Sequence, residues 1–279
     1  MLISWGYVMS WNEYEYSTAE GQPVTLYEFV RGGGQYFRYT NADRNIIYEQ
    51  KTWLAEAISD SGLSQNTGDN IDITVPATNP LIKLFRGVPP SEPVSVKISR
   101  FHYADDKQQL TVASMGTILE IKRQDDGAVK IITAGVASAF TRNGLRLTWG
   151  RSCPHALYDH NCRVNHAAFA VTGLKITDMT GAEIMLNIPA EVPENYFSGG
   201  YIEYETDGIT ERRGARTHSS NKIGLFGGTQ GLKPGMIITA YPGCDKTIAK
   251  CNGRFNNSLN YGGVPHLPGI SPYQIIKLF

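Results

Sequence analysis

Short runs in which Val, Ile, Thr and Tyr alternate with polar residues recur along the chain. This is the period-two pattern of strands with one buried face. It predicts strands over residues 24–30, 35–40, 71–75, 94–102, 109–114, 117–122 and 128–133 in the first half. In the second half it predicts strands over 168–171, 183–186, 201–205, 211–218 and 236–241. Gly, Pro, Asn or Asp bounds most of these runs, and Asp125-Asp126-Gly127 is well suited to a hairpin turn. One helix breaks the pattern. Asn79 can cap it, Pro80 fits its first turn, and Leu81, Ile82, Leu84 and Phe85 give it an apolar face before Gly87 and Pro89-Pro90 end it. A helix of this kind can plug a barrel end. The fold expected is mainly β, built of β-barrel domains with short helices. A boundary falls near 144–151, dividing a β-rich part over 1–150 from a second over 151–279.

The length of 279 residues suits one large β unit or two modest domains with real cores. Lys plus Arg and Asp plus Glu both total 26, so the formal charge is zero, and neither half departs far from it. No basic face or tail asks for a specific nucleic-acid partner. No stretch approaches the ~20 apolar residues of a membrane-spanning helix. Met-Leu-Ile-Ser-Trp-Gly-Tyr at the start lacks the features of a signal peptide, which points to a compartment where thiols stay reduced.

Against that background the four cysteines stand out: Cys153 and Cys162, then Cys244 and Cys251. Both pairs lie in segments rich in Pro, Gly, His, Asp and Lys rather than in apolar strands. Cys153 and Cys162 would point to opposite sides of a continuous helix, so they can share a centre only if the chain folds back. Asp159-His160-Asn161 is the expected reversal. Cys244 and Cys251 would share one face of a helix if the segment between them were helical, with Cα atoms ~10 Å apart, too far for a disulfide. Structural zinc usually presents tight Cys-x-x-Cys knuckles, which neither pair has. An iron–sulfur cluster accepts wider and more irregular spacings. Zinc, a cluster, and four unrelated buried thiols all remain open on spacing alone. His155, His160 and His266 lie near in sequence and are assigned to none of these centres.

At these residues the chain resembles a family of long-tailed phage tail-tip or baseplate hub proteins. The resemblance is carried by Gly-Leu-Arg-Leu-Thr-Trp-Gly-Arg-Ser-Cys-Pro-His-Ala-Leu-Tyr-Asp over 144–159 and Asn-Cys-Arg-Val-Asn over 161–165. Pro-Gly-Cys-Asp-Lys-Thr over 242–247 carries it further, with Cys251, Phe255, Asn256, Asn260 and the Gly-Gly-Val-Pro-His-Leu-Pro-Gly run over 262–269. In the first half, Ile-Ser-Asp-Ser-Gly over 58–62 and Val-Pro-Ala-Thr-Asn-Pro over 75–80 fit it too. The family includes the hub of gene transfer agents and is related to the lambda-type tail-tip protein with an iron–sulfur domain. The resemblance implies a homotrimeric β-rich ring in the virion tail, assembled in the host cytoplasm between a distal tail protein and a central fibre or spike. It also implies a C-terminal metal-cluster domain in which Cys153, Cys162, Cys244 and Cys251 hold a 4Fe–4S cluster.

Signatures of catalysis are missing: no Gly-x-Ser-x-Gly, no His-Glu-x-x-His, no phosphate-cradling loop and no dinucleotide fingerprint. No catalytic residue is assigned, and the chain is expected not to be an enzyme. Glu203 and Glu205 share a strand face as glycosidase carboxylates might, but an exposed polar face explains them better. Glu211-Arg212-Arg213 with Arg216 reads as a solvated strand or subunit contact. Trp5, Tyr7, Trp11, Tyr14 and Tyr16 read as interface anchors or as core. The remaining alternatives are a zinc-stapled receptor- or carbohydrate-binding module and a metalloenzyme using the same cysteines.

Overall fold

The computed structural model describes residues 10–19, 21–62, 70–105, 107–140 and 149–268. The chain forms two compact units, divided between Arg142 and Asn143. Part of the boundary expected over 144–151 lies outside the described residues, as do Trp5 and Tyr7.

The first unit opens with helix α1 (Trp11–Tyr16), followed by strands β1 (Pro23–Arg31), β2 (Gln35–Thr40), β3 (Ile46–Tyr48), β4 (Lys51–Ala55), β5 (Ser59–Asp60) and β6 (Asp72–Pro76). Helix α2 (Pro80–Lys83) precedes β7 (Ser95–His102), β8 (Thr111–Arg123) and β9 (Ala128–Gly135). These strands make one sheet in the order β3-β4-β2-β1-β7-β8-β9-β6-β5. Strands β4 and β5 lie towards opposite ends of this order yet are separated by only residues 56–58, too short a stretch to cross a flat sheet, so the sheet curls and brings its two ends close.

Alternation places Tyr27 and Phe29, Ile73 and Val75, Val96 and Ile98, and Val129 and Ile131 in one buried cluster. Leu81 and Ile82 of α2 belong to the same cluster, and the Asn79 side chain accepts the Leu81 amide at 2.9 Å. The expected capped helix therefore packs into the core of this unit. The runs 109–114 and 117–122 turn out to be one strand. A Cβ at Gly116 would meet the Ala134 carbonyl oxygen at 2.2 Å, so this glycine permits close strand approach rather than a turn.

The second unit holds β10 (Val171–Thr180), β11 (Glu183–Leu186), β12 (Tyr201–Thr206), β13 (Ile209–Ser219), β14 (Lys222–Leu225) and β15 (Ile237–Tyr241). They form a closed barrel in the order β10-β11-β14-β13-β12-β15. Leu174 and Ile176, Ile184 and Leu186, Ile223 and Leu225, and Ile238 and Ala240 point inward at every second position. Full burial of such Leu and Ile side chains stabilises by roughly 1.5–3 kcal/mol each. The strand expected over 168–171 is instead a 3-10 turn, His166–Phe169, that leads into β10.

Two expectations about polar residues change here. Arg213 points into the barrel, donating to the Tyr204 hydroxyl at 2.6 Å and to the carbonyls of Gly228 and Gln230 at 2.8 and 2.9 Å. Glu211 is also buried, and Arg212, on the alternate face, is exposed, so the run is not a uniformly solvated strand. Trp11 and Tyr14 pack their rings on buried His102, at 4.4 and 5.6 Å between centroids, while Tyr16 is exposed.

After the barrel comes helix α3 (Ile248–Phe255). The cysteine-bearing segments belong to this second unit and do not form a separate metal-cluster domain. Among the described residues no helix is long and apolar enough to cross a membrane.

Candidate functional site

The first cysteine segment is shaped by Asp159. Its carboxylate accepts the amides of Asn161 and Cys162 at 3.0 and 2.6 Å on one oxygen and of Ala156 at 3.1 Å on the other. These amides, that of Cys162 foremost, hold the Asp159 carboxyl below its ordinary range. Tyr158 and Arg163 adopt left-handed φ of 68° and 59°, so the chain reverses at Asp159-His160-Asn161 as the sequence suggests. The Tyr158 hydroxyl then reaches across to the Pro242 carbonyl at 2.6 Å.

The second segment is positioned by close backbone packing. A Cβ at Gly243 would stand 1.8 Å from the Ser198 carbonyl oxygen, and one at Gly200 would stand 2.0 Å from that of Tyr241. Cys244 follows in an irregular loop and is not helical. Helix α3 starts only at Ile248, with the Thr247 hydroxyl accepting the Lys250 amide at 3.2 Å. The idea of Cys244 and Cys251 on one helical face is thereby corrected, because Lys246, at φ 65°, turns the chain before the helix begins.

Lys246 also ties the two segments. Its carbonyl accepts the Cys153 amide at 3.0 Å, its ammonium reaches the His155 carbonyl, and its own amide donates to the Cys244 sulfur at 3.4 Å. Asn257 makes a second tie, with its side-chain amide on the Cys162 carbonyl and its backbone carbonyl accepting from the Cys251 thiol at 3.3 Å. Sequence reasoning missed Asn257, and it gave no part at the sulfurs to Lys246 or to a third segment, residues 261–264, although Lys246 and 262–264 lie in the runs that carry the resemblance. That segment places the Gly262 amide 3.4 Å from the Cys153 sulfur. The paired glycines and polar asparagines around it were the available signal.

All four cysteines are free thiols, with Cys251 buried and the others partly so. Burial pushes the Cys251 thiol up, and the thiols of Cys244, Cys162 and Cys153 push it further, in that order. Each of the other three is therefore near enough to act on Cys251. Yet among the described residues no group of three or more His, Cys, Asp or Glu is drawn up to hold a metal ion. These two observations differ in range. Tetrahedral zinc with ~2.3 Å bonds needs its sulfurs only about 3.8 Å apart, whereas charge acts over a wider neighbourhood. His160 and His266 are exposed, and His155 packs beside Gly262.

Glu203 is engaged by Arg212 and Tyr241, whereas Glu205 is exposed. Burial would raise Glu203, but the Tyr241 hydroxyl at 2.5 Å and the Arg212 guanidinium at 2.7 Å outweigh it and keep the carboxyl charged, below its usual range. The surrounding groups are Tyr201, stacked on Tyr241 at 4.4 Å, and His166. A depressed folded pKa contributes stability above the unfolded value, about 4.3, and loses it as pH falls through the folded value. Wild type is thus expected to exceed Glu203→Gln in melting temperature at neutral pH. The gap should close in acid, and a gap constant with pH would refute the pairing as its source.

The matching families set this geometry in context. Residues 16–165, more than half of the chain, match the family described as "Baseplate hub protein, N-terminal attachment domain". The chain belongs to this baseplate hub family. Membership places the hub chain in the tail of a virion. Residues 195–270, which carry Cys244 and Cys251, match a second family, "Phage conserved hypothetical protein BR0599". The hub chain also shares its fold with a chain from the solved structure "Virion of native gene transfer agent (GTA) particle", with a TM-score of 0.75 and 18% identity. That match covers 96% of this chain and 94% of the other. No curated protein matches the sequence.

Proposed function

We propose that this protein is a non-enzymatic structural hub at the tail tip, a homotrimer joining the distal tail protein to the central fibre or spike. Cys153, Cys162, Cys244 and Cys251 hold a 4Fe–4S cluster that staples its second unit. Family membership and the fold shared with a gene transfer agent virion chain support the architectural part.

One observation supports the cluster: two residues tie together the remote segments that bear the four thiols, Lys246 joining Cys153 to Cys244 and Asn257 joining Cys162 to Cys251. A cluster has several irons and needs its thiolates spread wider than zinc does. Backbone amides aimed at the Cys153 and Cys244 sulfurs suit sulfur that carries negative charge. When bound, the cluster supplies covalent cross-links. The chain's own residues, Asp159, Lys246 and Asn257, hold the ligand loops in place.

Anaerobically purified protein is expected to contain iron and acid-labile sulfide in equal amounts, with a broad visible absorption band. Zinc without sulfide, or no metal at all, would refute the cluster. Co-expression with the distal tail protein should yield ring-shaped complexes by electron microscopy, and a monomer that never joins that partner refutes the hub reading.

A further inference from the structure

The third segment at the sulfur centre brings no cysteine, yet it is anchored on both cysteine segments. The Tyr261 hydroxyl is shared between the carbonyls of Arg151 at 2.6 Å and Lys246 at 3.0 Å. The Val264 amide donates to the Gly150 carbonyl at 2.8 Å, and the Arg151 guanidinium reaches the Leu267 carbonyl. Between these anchors the backbone lies against 151–153 so tightly that side chains are excluded. A Cβ at Gly263 would meet the Arg151 carbonyl oxygen at 2.6 Å and Ser152 backbone atoms at 2.8 Å. One at Gly262 would meet the His155 ring at 2.4 Å. The close approach is what brings the Gly262 amide to the Cys153 sulfur.

We infer that residues 261–263 are the cover of the sulfur centre, and that the Gly262 amide is a positioning donor that sets the potential of the cluster bound there. The inference rests on the four-cysteine cluster reading. Hydrogen bonds to ligand sulfur and exclusion of solvent are two of the means by which a protein sets an iron–sulfur potential. An amide aimed at a ligand sulfur favours the more negative, reduced state, so its withdrawal moves the potential down. Lys246 makes the matching amide bond to Cys244 within their own segment, so two of the four sulfurs receive backbone donors.

Gly263→Ala forces the cover off the 151–153 backbone, whereas Tyr261→Phe removes only the hydroxyl tie. After anaerobic reconstitution, both variants are expected to carry iron and sulfide at the wild-type level. Gly263→Ala should then show a more negative midpoint potential and bleach in air about tenfold faster, the low end for loss of a group that supports a metal ligand. Tyr261→Phe should bleach at an intermediate rate. A purely structural role for the segment would lower the melting temperature without moving the potential. Cluster-bearing variants with wild-type potential and bleaching rate overturn this inference alone. If Gly263→Ala fails to fold, Tyr261→Phe bleaching at the wild-type rate is sufficient to overturn it. Wild-type protein without iron and sulfide overturns the cluster reading, and this inference with it.

Discussion

Cys244→Ser is expected to abolish the visible absorption band, remove the iron and stop tail assembly, while the strands of both units remain folded. The expectation follows from how the thiols are held. Cys153, Cys162 and Cys244 are only partly buried, so if they were ordinary thiols, exchanging sulfur for oxygen would cost little. If they are ligands, one lost bond releases segments otherwise tied by a few hydrogen bonds at Lys246, Asn257 and Tyr261. Because binding of a metal centre and local folding are coupled, that release unfolds the segments themselves. Hydrogen exchange checks this directly. Amides around 151–163 and 244–263 should lose protection, while those of barrel residues such as Ile202 and Ile223 keep it. Full iron content and normal assembly in Cys244→Ser would refute the ligand assignment.

Strands with clean alternation were legible in the sequence because each has one buried face: β2 and β11 have the expected bounds, and β12 differs by one residue. Strands β3, β4, β5 and β14 were missed. Of these, β3 and β5 are three and two residues long, too short for a period to register. Most of β10 was missed too, because Gly173 and Asp178 interrupt its apolar positions. Gly116 misled in the other direction, since a glycine needed for close approach to Ala134 reads like a turn. Arg213 misled because a buried cation needs partners from elsewhere in the chain, here Tyr204, Gly228 and Gln230. At the cysteine segments the reversal around Asp159 was readable, since it depends on local hydrogen bonds. Gly262 acts on a sulfur 109 positions away, and Lys246 and Asn257 reach the first cysteine segment over similar gaps. Spacing along the chain carries no record of such ties.

Arg254→Ala is expected to destabilise the second unit by about 2–4 kcal/mol, judged from charged hydrogen bonds at roughly 1.5–3 kcal/mol each that do not add fully. Arg254 is the fastener of α3. Its guanidinium donates to the carbonyls of Tyr196 at 2.8 Å and Gly243 at 2.5 Å, and it lies 4.7 Å from the centre of the Tyr196 ring. A single guanidinium nitrogen, Nη1, thus joins the helix that bears Cys251 both to the segment before β12 and to the residue preceding Cys244. Truncation leaves those carbonyls without their charged donor and removes the stacked contact on Tyr196. Arg254→Lys keeps the charge but loses the planar group over the Tyr196 ring and the fixed position of Nη1, so it should recover less than half of the loss. Thermal unfolding measures the stability, and iron content measured alongside it tests whether the fastener also serves the centre, with faster iron loss expected in Arg254→Ala. An unchanged melting temperature in that variant would show that α3 is held by apolar contacts through Phe255 and not by this guanidinium.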